Sequence, residues 1–191
     1  MADLGEHFRT ALDESAEMLQ SLRALQEPLA RAAHAIAESL SSGHKLLICG
    51  NGGSAADAAH FATEFVVRFV AERPSYPAIC LTSDGGTLTA AGNDYGFDEV
   101  FARQVAGFGR AGDVLICLTT SGNSRNVQRA LEEAKARDVR TIALLGRDGG
   151  ATRGMAEMEM IAPGDSTARI QEAHMLLLHV LCQTMEDRLA R

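Results

Sequence analysis

Six consecutive residues, Thr119-Thr120-Ser121-Gly122-Asn123-Ser124, place four hydroxyls and a glycine just ahead of a helical stretch. Glycine lets the backbone approach a ligand closely, hydroxyls donate to phosphate oxygens, and a helix N-terminus adds unpaired N–H groups and partial positive charge. The same residues also make an ordinary Ser/Gly-rich β–α turn with a helix cap. They are not a Walker A loop, since GxxxxGK[ST] is absent and nothing supports nucleoside triphosphate hydrolysis. Asn51-Gly52-Gly53-Ser54 is a second loop of this kind and is no GxGxxG fingerprint either. Alone it reads equally as a tight turn and an N-cap. Two such loops at the ends of different strands favour a bound phosphosugar more than either does singly.

His60 and Glu64 stand four apart on the helix predicted after the Asn51 loop, so both project from one face. Imidazole and carboxylate at that spacing can share a divalent ion, although HExxH is absent; the plainer alternative is a polar face on an otherwise apolar helix. Gln171, Glu172, His174 and His179 crowd the C-terminal helix. Gln171 and His179 diverge by about 80° at 3.6 residues per turn, whereas Glu172 and His179 align better, and helical geometry leaves the choice open. His7 and His34 fall in N-terminal helices and His44 opens a strand, and all three read as surface or packing residues.

These residues need a scaffold, and the apolar patterning supplies one. Residues 4–25 carry Leu4, Phe8, Leu12, Met18, Leu19, Leu22 and Leu25 at helical spacing. Pro28 suits the first turn of a second helix with Leu29, Ala33, Ile36 and Leu40 on its apolar face, ended by Ser41-Ser42-Gly43. Short apolar runs then alternate with amphipathic segments: Lys45–Cys49, Ala78–Leu81, Val114–Leu118, Thr141–Leu145 and a weaker Met158–Ile161. The runs lack clean period-two alternation, which predicts strands buried on both faces of a parallel sheet with helices on each side. Ser166–Arg191 reads as one long helix. One α/β domain, 1–191, is predicted, with N-terminal helices over 1–42 and an α/β core over 43–191. In such a sheet ligands bind beyond the carboxyl ends of the strands. Polar small residues follow the first four runs there, among them Thr82–Gly86 with Gly92-Asn93-Asp94-Tyr95-Gly96, and Gly146–Gly150.

Composition narrows the classes. The chain has 191 residues, 46% hydrophobic and 23% charged, with net charge −7. That is enough chain to bury a core unaided. An acidic chain without Trp and without a basic–aromatic stripe is a poor nucleic-acid ligand, which disfavours that partner. No apolar run reaches the roughly 18–20 residues of a membrane span, and the first residues are neither a signal nor a transit peptide. Cys49, Cys80, Cys117 and Cys182 lie far apart inside apolar runs with no CxxC pair, as expected of reduced packing residues in a cytoplasmic protein.

Taken together, GNGGSAADAAHFATEF, NDYGF, GDVLICLTTSGNS and RIQEAHMLLLHVLC resemble the bacterial sedoheptulose-7-phosphate (phosphoheptose) isomerases of the sugar isomerase, or SIS, superfamily. The resemblance covers essentially the whole chain. It implies a flavodoxin-like three-layer α/β/α sandwich with a five-stranded parallel sheet, and a homotetramer with active sites near subunit interfaces. It also implies one Zn2+ per subunit held by His60, Glu64, Gln171 and His179. Substrate contacts would come from Asn51, Gly52, Gly53, Glu64, Asn93, Asp94, Thr119, Thr120, Ser121, Ser124 and Gln171. Position 119 is Thr where some relatives have Ser, and Ala168 replaces an acidic residue of others. The implied reaction is ketose–aldose isomerisation of sedoheptulose 7-phosphate to D-glycero-D-manno-heptose 7-phosphate, first step toward nucleotide-activated heptose, with Glu64 as base and His179 as acid. Two other readings remain: a non-catalytic regulator binding a replication-initiator protein, and an isomerase of another phosphosugar. The presence of both Glu64 and His179 weighs against the first, and RIQEAHMLLLHVLC against the second.

Overall fold

The computed structural model describes residues 3–189. The ends of the predicted unit 1–191, Met1 and Ala2 and, in the helix predicted over 166–191, Ala190 and Arg191, lie outside the described residues. The chain opens with α1 (Leu4–Ser21), a 3-10 turn (Leu22–Leu25) and α2 (Gln26–Ser41). The continuous helix expected over 4–25 therefore ends at Ser21. Pro28 explains the break: it has no N–H, and its ring would collide with the Ala24 carbonyl if α geometry ran through 24–28.

Five strands follow: β1 (Leu46–Gly50), β2 (Ala78–Cys80), β3 (Val114–Thr119), β4 (Arg140–Gly146) and β5 (Met158–Ala162). They form one parallel sheet in the order β2-β1-β3-β4-β5. This is the flavodoxin-like winding, whose topological switch lies between β1 and β3. The three inner strands are buried along nearly their whole length. The two edges depart from the expectation of burial on both faces: β2 is only half-buried, and β5 alternates buried and half-buried residues. An edge strand lacks one neighbour, so its outer flank stays open.

Alternate side chains of the inner strands feed two apolar layers. Leu46, Ile48, Val114, Ile116 and Leu118 point to the side covered by α2, α3 (Gly53–Val66) and α7 (Thr167–Leu189). Leu47, Cys49, Leu115 and Cys117 point to the side covered by α5 (Ala102–Phe108) and α6 (Arg125–Ala136). Helices α3 and α7 thus pack side by side on the same face, and this brings residues 107 positions apart or more into one site. Among the described residues, no helix is long and apolar enough to cross a membrane.

One expected loop is a helix instead. Gly92–Gly96, read as part of the polar strand edge, contributes the last turn of α4 (Gly85–Tyr95). Asp84 caps that helix, accepting from the Gly86 N–H at 2.9 Å, and the cap outweighs the two glycines that open it. Asn93 and Asp94 accordingly sit near the end of the helix opposite the one that adjoins the sheet.

Candidate active site

The carboxyl end of β1 passes through Asn51 into α3. Gly52 has φ +55°, a conformation that side chains other than glycine's rarely adopt, and it turns the chain sharply into the helix. The carboxyl end of β3 passes through Thr119–Ser124 into α6. Asn51 and Asn126 tie the two loops together: each side-chain amide donates to the other's oxygen, at 2.8 and 2.9 Å. Asn126 is buried and was not foreseen; its only signal was its place two residues after Ser124.

The hydroxyl loop is held from within and from beside. Thr119 Oγ1 lies 3.1 Å from Ser124 Oγ, and the Asn123 N–H donates to Ser121 Oγ at 3.1 Å. The β4 loop braces it, with the Thr152 N–H and hydroxyl both donating to the Gly122 carbonyl at 2.9 and 2.7 Å. Ser124 is the N-cap of α6 but makes no side-chain cap bond. The loop hydroxyls therefore lie next to the first N–H groups of a twelve-residue helix, a combination suited to a phosphate.

On α3, His60 Nε2 stands 3.4 Å from Glu64 Oε1. The same nitrogen is 3.1 Å from Nε2 of His179 on α7, so one ring must donate and the other accept. The two rings meet edge to face, and Phe69 packs against His179 in a tilted pair with ring centres 5.4 Å apart. Gln171 approaches the N-terminus of α3 so closely that a Cβ on Gly53 would fall 1.9 Å from its Nε2. Glu172 turns the other way, accepting from Ser15 Oγ and pairing with Arg169, both at 2.8 Å. The ambiguity of helical geometry ends there: Gln171 faces α3, and Glu172 faces α1.

Among the described residues, no group of three or more His, Cys, Asp or Glu side chains stands in metal-holding geometry, and the contacts run pairwise through His60. In type, two imidazoles, a carboxylate and an amide oxygen are a donor set suited to a divalent ion. Asp57, one turn before His60, has a buried Oδ2 without a hydrogen-bond partner. Burial pushes its carboxyl up from the ordinary value while His60 opposes the shift. Asn93 and Asp94 join none of these groups; the Asn93 amide donates to the Asp94 carboxylate at 2.8 Å, exposed. Ala168 is exposed in the first turn of α7.

A parallel sheet with hydroxyl-rich loops at its switch point and a His/Glu/His cluster on two of its covering helices defines a class, and residues 12–146 match the family model of the SIS domain. The phosphoheptose isomerase of Geobacter sulfurreducens is 51% identical over 174 residues, which cover 91% of this chain and 92% of that protein. The solved phosphoheptose isomerase of Neisseria gonorrhoeae superposes with a TM-score of 0.92 at 44% identity, over 97% of this chain and all of that one. That of Francisella tularensis gives 0.94 at 39% identity with the same coverage. The chain belongs to the phosphoheptose isomerase family of SIS-domain proteins.

Proposed function

We propose that this chain interconverts sedoheptulose 7-phosphate and D-glycero-D-manno-heptose 7-phosphate. The observation that carries the reading is the meeting of His60 and Glu64 on α3 with His179 on α7, in a chain that also carries the hydroxyl loop that opens α6. Thr119, Thr120, Ser121 and Ser124 hold the phosphate, and the binding energy of that distal group orients the reacting carbons. Asn51, Gly52, Gly53 and Gln171 line the sugar, with Asn93 and Asp94 completing the contacts.

Glu64 takes a proton from C1 of the open-chain ketose, the C–H electrons form the C1=C2 bond, and charge gathers on the C2 oxygen. His179 moves the proton between the two oxygens: it protonates O2 and receives the proton of O1 as the C1 aldehyde forms. Glu64 then returns its proton to C2. His60, Glu64, Gln171 and His179 would hold one Zn2+, which when bound supplies Lewis-acid polarisation of the carbonyl. Metal ligation makes a carboxylate a weaker base, so holding the ion and removing the proton would be competing roles for Glu64.

Apolar residues exposed on α1 support assembly into the homotetramer expected of this family. Four unpaired cysteines support a reducing, cytoplasmic setting. The test is turnover of sedoheptulose 7-phosphate before and after chelation and with zinc restored, together with Glu64→Gln. Product that is lost on chelation and recovered with zinc, and abolished in a folded Glu64→Gln variant, is the expected result. No turnover by folded, zinc-loaded protein overturns the substrate, and an active Glu64→Gln variant overturns the base.

A further inference from the structure

Behind the cluster lies a buried ion pair that the reaction as described does not use. Glu186 sits seven residues, two turns, beyond His179 on α7, and its side chain and that of Arg73 are each only 3% exposed. Arg73 Nε is 3.5 Å from Glu186 Oε1. The carboxylate accepts three consecutive backbone N–H groups: Phe69 at 3.0 Å and Val70 at 3.1 Å on Oε1, with Val70 at 3.1 Å and Ala71 at 2.9 Å on Oε2. The guanidinium donates to the carbonyls of Phe65 and Pro74, both at 2.9 Å, and to that of Glu64. It also stacks 4.2 Å over the Tyr76 ring.

The two sets of bonds lead to the two groups assigned to proton transfer. Those of Arg73 satisfy orphan carbonyls in the last turn of α3, directly beneath Glu64. Those of Glu186 fold the segment after α3 so that Phe69 presses on the His179 ring. Desolvation opposes the charge on Glu186, but the N–H groups of Ala71, Val70 and Phe69 together with Arg73 outweigh it and hold the carboxyl below its ordinary range. A pair of this kind is a weak source of net stability, because desolvating both ions consumes most of the attraction. Its geometric effect is to fix two helices against each other.

We propose that Arg73 and Glu186 are positioning residues for the isomerisation, a strut that sets Glu64 and His179 relative to the substrate. The inference rests on the proton-transfer roles assigned above. Glu186→Gln keeps the size of the side chain but puts an amide donor against backbone donors. The expected result is a kcat at least about tenfold lower, with KM within about threefold because the hydroxyl loop belongs to other helices; misplacement by about 1 Å is sufficient for such a loss. Amides of Phe69, Val70 and Ala71 should lose hydrogen-exchange protection, and the acid limb of the kcat–pH profile should move by about half a unit or more. Rates are normalised to folded protein by circular dichroism. An unchanged kcat, or a fall with the pH limbs unmoved, overturns the proposal.

Should Glu186→Gln fail to fold, Phe69→Ala decides: it removes only the ring against His179, and normal kcat with normal pH limbs overturns the proposal. Arg73→Lys, which keeps charge but loses the planar fork, is expected to fall between wild type and Arg73→Met. Hydrogen exchange separates the two readings. If wild type does not turn over sedoheptulose 7-phosphate, the assigned reaction fails; if exchange at Phe69–Ala71 is unchanged in Glu186→Gln, the strut fails.

Discussion

Gly53 has no room for a methyl group, because a Cβ there would stand 1.9 Å from the Gln171 amide nitrogen. The obstacle is the far end of a flexible side chain, so Gly53→Ala displaces Gln171 without moving backbone. Stability should change by less than about 1 kcal/mol, as for other substitutions that leave core packing alone, whereas activity should fall at least about tenfold as Gln171 leaves the position proposed for it at the substrate. Urea unfolding beside steady-state kinetics checks the split, and equal loss in both would show that the glycine serves the fold instead. Some of what the structure brings together was legible at this scale. His60 and Glu64 follow from their spacing, and the hydroxyl loop from its composition. Helical spacing alone left the choice between Gln171 and Glu172 open, and only the family resemblance named Gln171, since the choice depends on which side of α7 faces α3 and which faces α1, a tertiary fact. Asn126 and the Arg73–Glu186 pair were invisible for the same reason: their partners are far off in sequence or are backbone groups.

At the scale of elements, α7 is fastened to β4 through a buried histidine. His174 Nε2 is 3.1 Å from the Leu145 carbonyl and donates to it, while Nδ1 is buried without a partner. Burial lowers its pKa from 6.5 to about 4, with the Leu145 hydrogen bond opposing. The folded protein therefore keeps the ring neutral between those values while the unfolded chain takes up a proton. Its contribution is present in full above pH 6.5 and is lost as pH falls toward 4, amounting to about 3 kcal/mol over the interval. His174→Leu should remove this dependence, so its stability at pH 4.5 relative to pH 7.5 should fall by about 2 kcal/mol less than that of wild type; urea titrations at the two pH values test it. Gly122 marks another fastening. With φ +65° and a Cβ that would meet the Gly149 carbonyl at 2.0 Å, Gly122→Ala should destabilise by more than about 2 kcal/mol and weaken substrate binding, since backbone must yield. The strands were readable because apolar runs of four or five residues leave few alternatives. The helical ending at Asn93–Tyr95 was misread because its glycines resemble a loop, and the Asp84 cap that overrides them is a geometric feature.

At the scale of the whole molecule, the apolar patterning and the surface disagree for a lone chain. Leu4, Phe8 and Leu12 stand at helical spacing on α1 yet are 82%, 63% and 52% exposed, and Val66, Val67 and Val70 are exposed beside the strut segment. Leu176 and Val180, exposed on α7, flank His179. An apolar side chain of this size is worth about 1.5–3 kcal/mol when fully covered, so a second copy laid on these faces gains from several at once, and the cluster around His179 would lie at its edge. Assembly and catalysis should then be coupled. The double variant Phe8→Glu and Leu12→Glu leaves Met18, the buried residue of α1, in place, so its far-UV dichroism should match wild type. Light scattering should report a smaller particle than wild type, with kcat lowered and recovered in part at high protein concentration by mass action. A particle of unchanged mass would remove α1 from the interface. A smaller particle with undiminished kcat would show that the site is complete within one chain, and the sugar contacts assigned to Asn93 and Asp94, which share no hydrogen bond with the cluster, would then have to be reassigned.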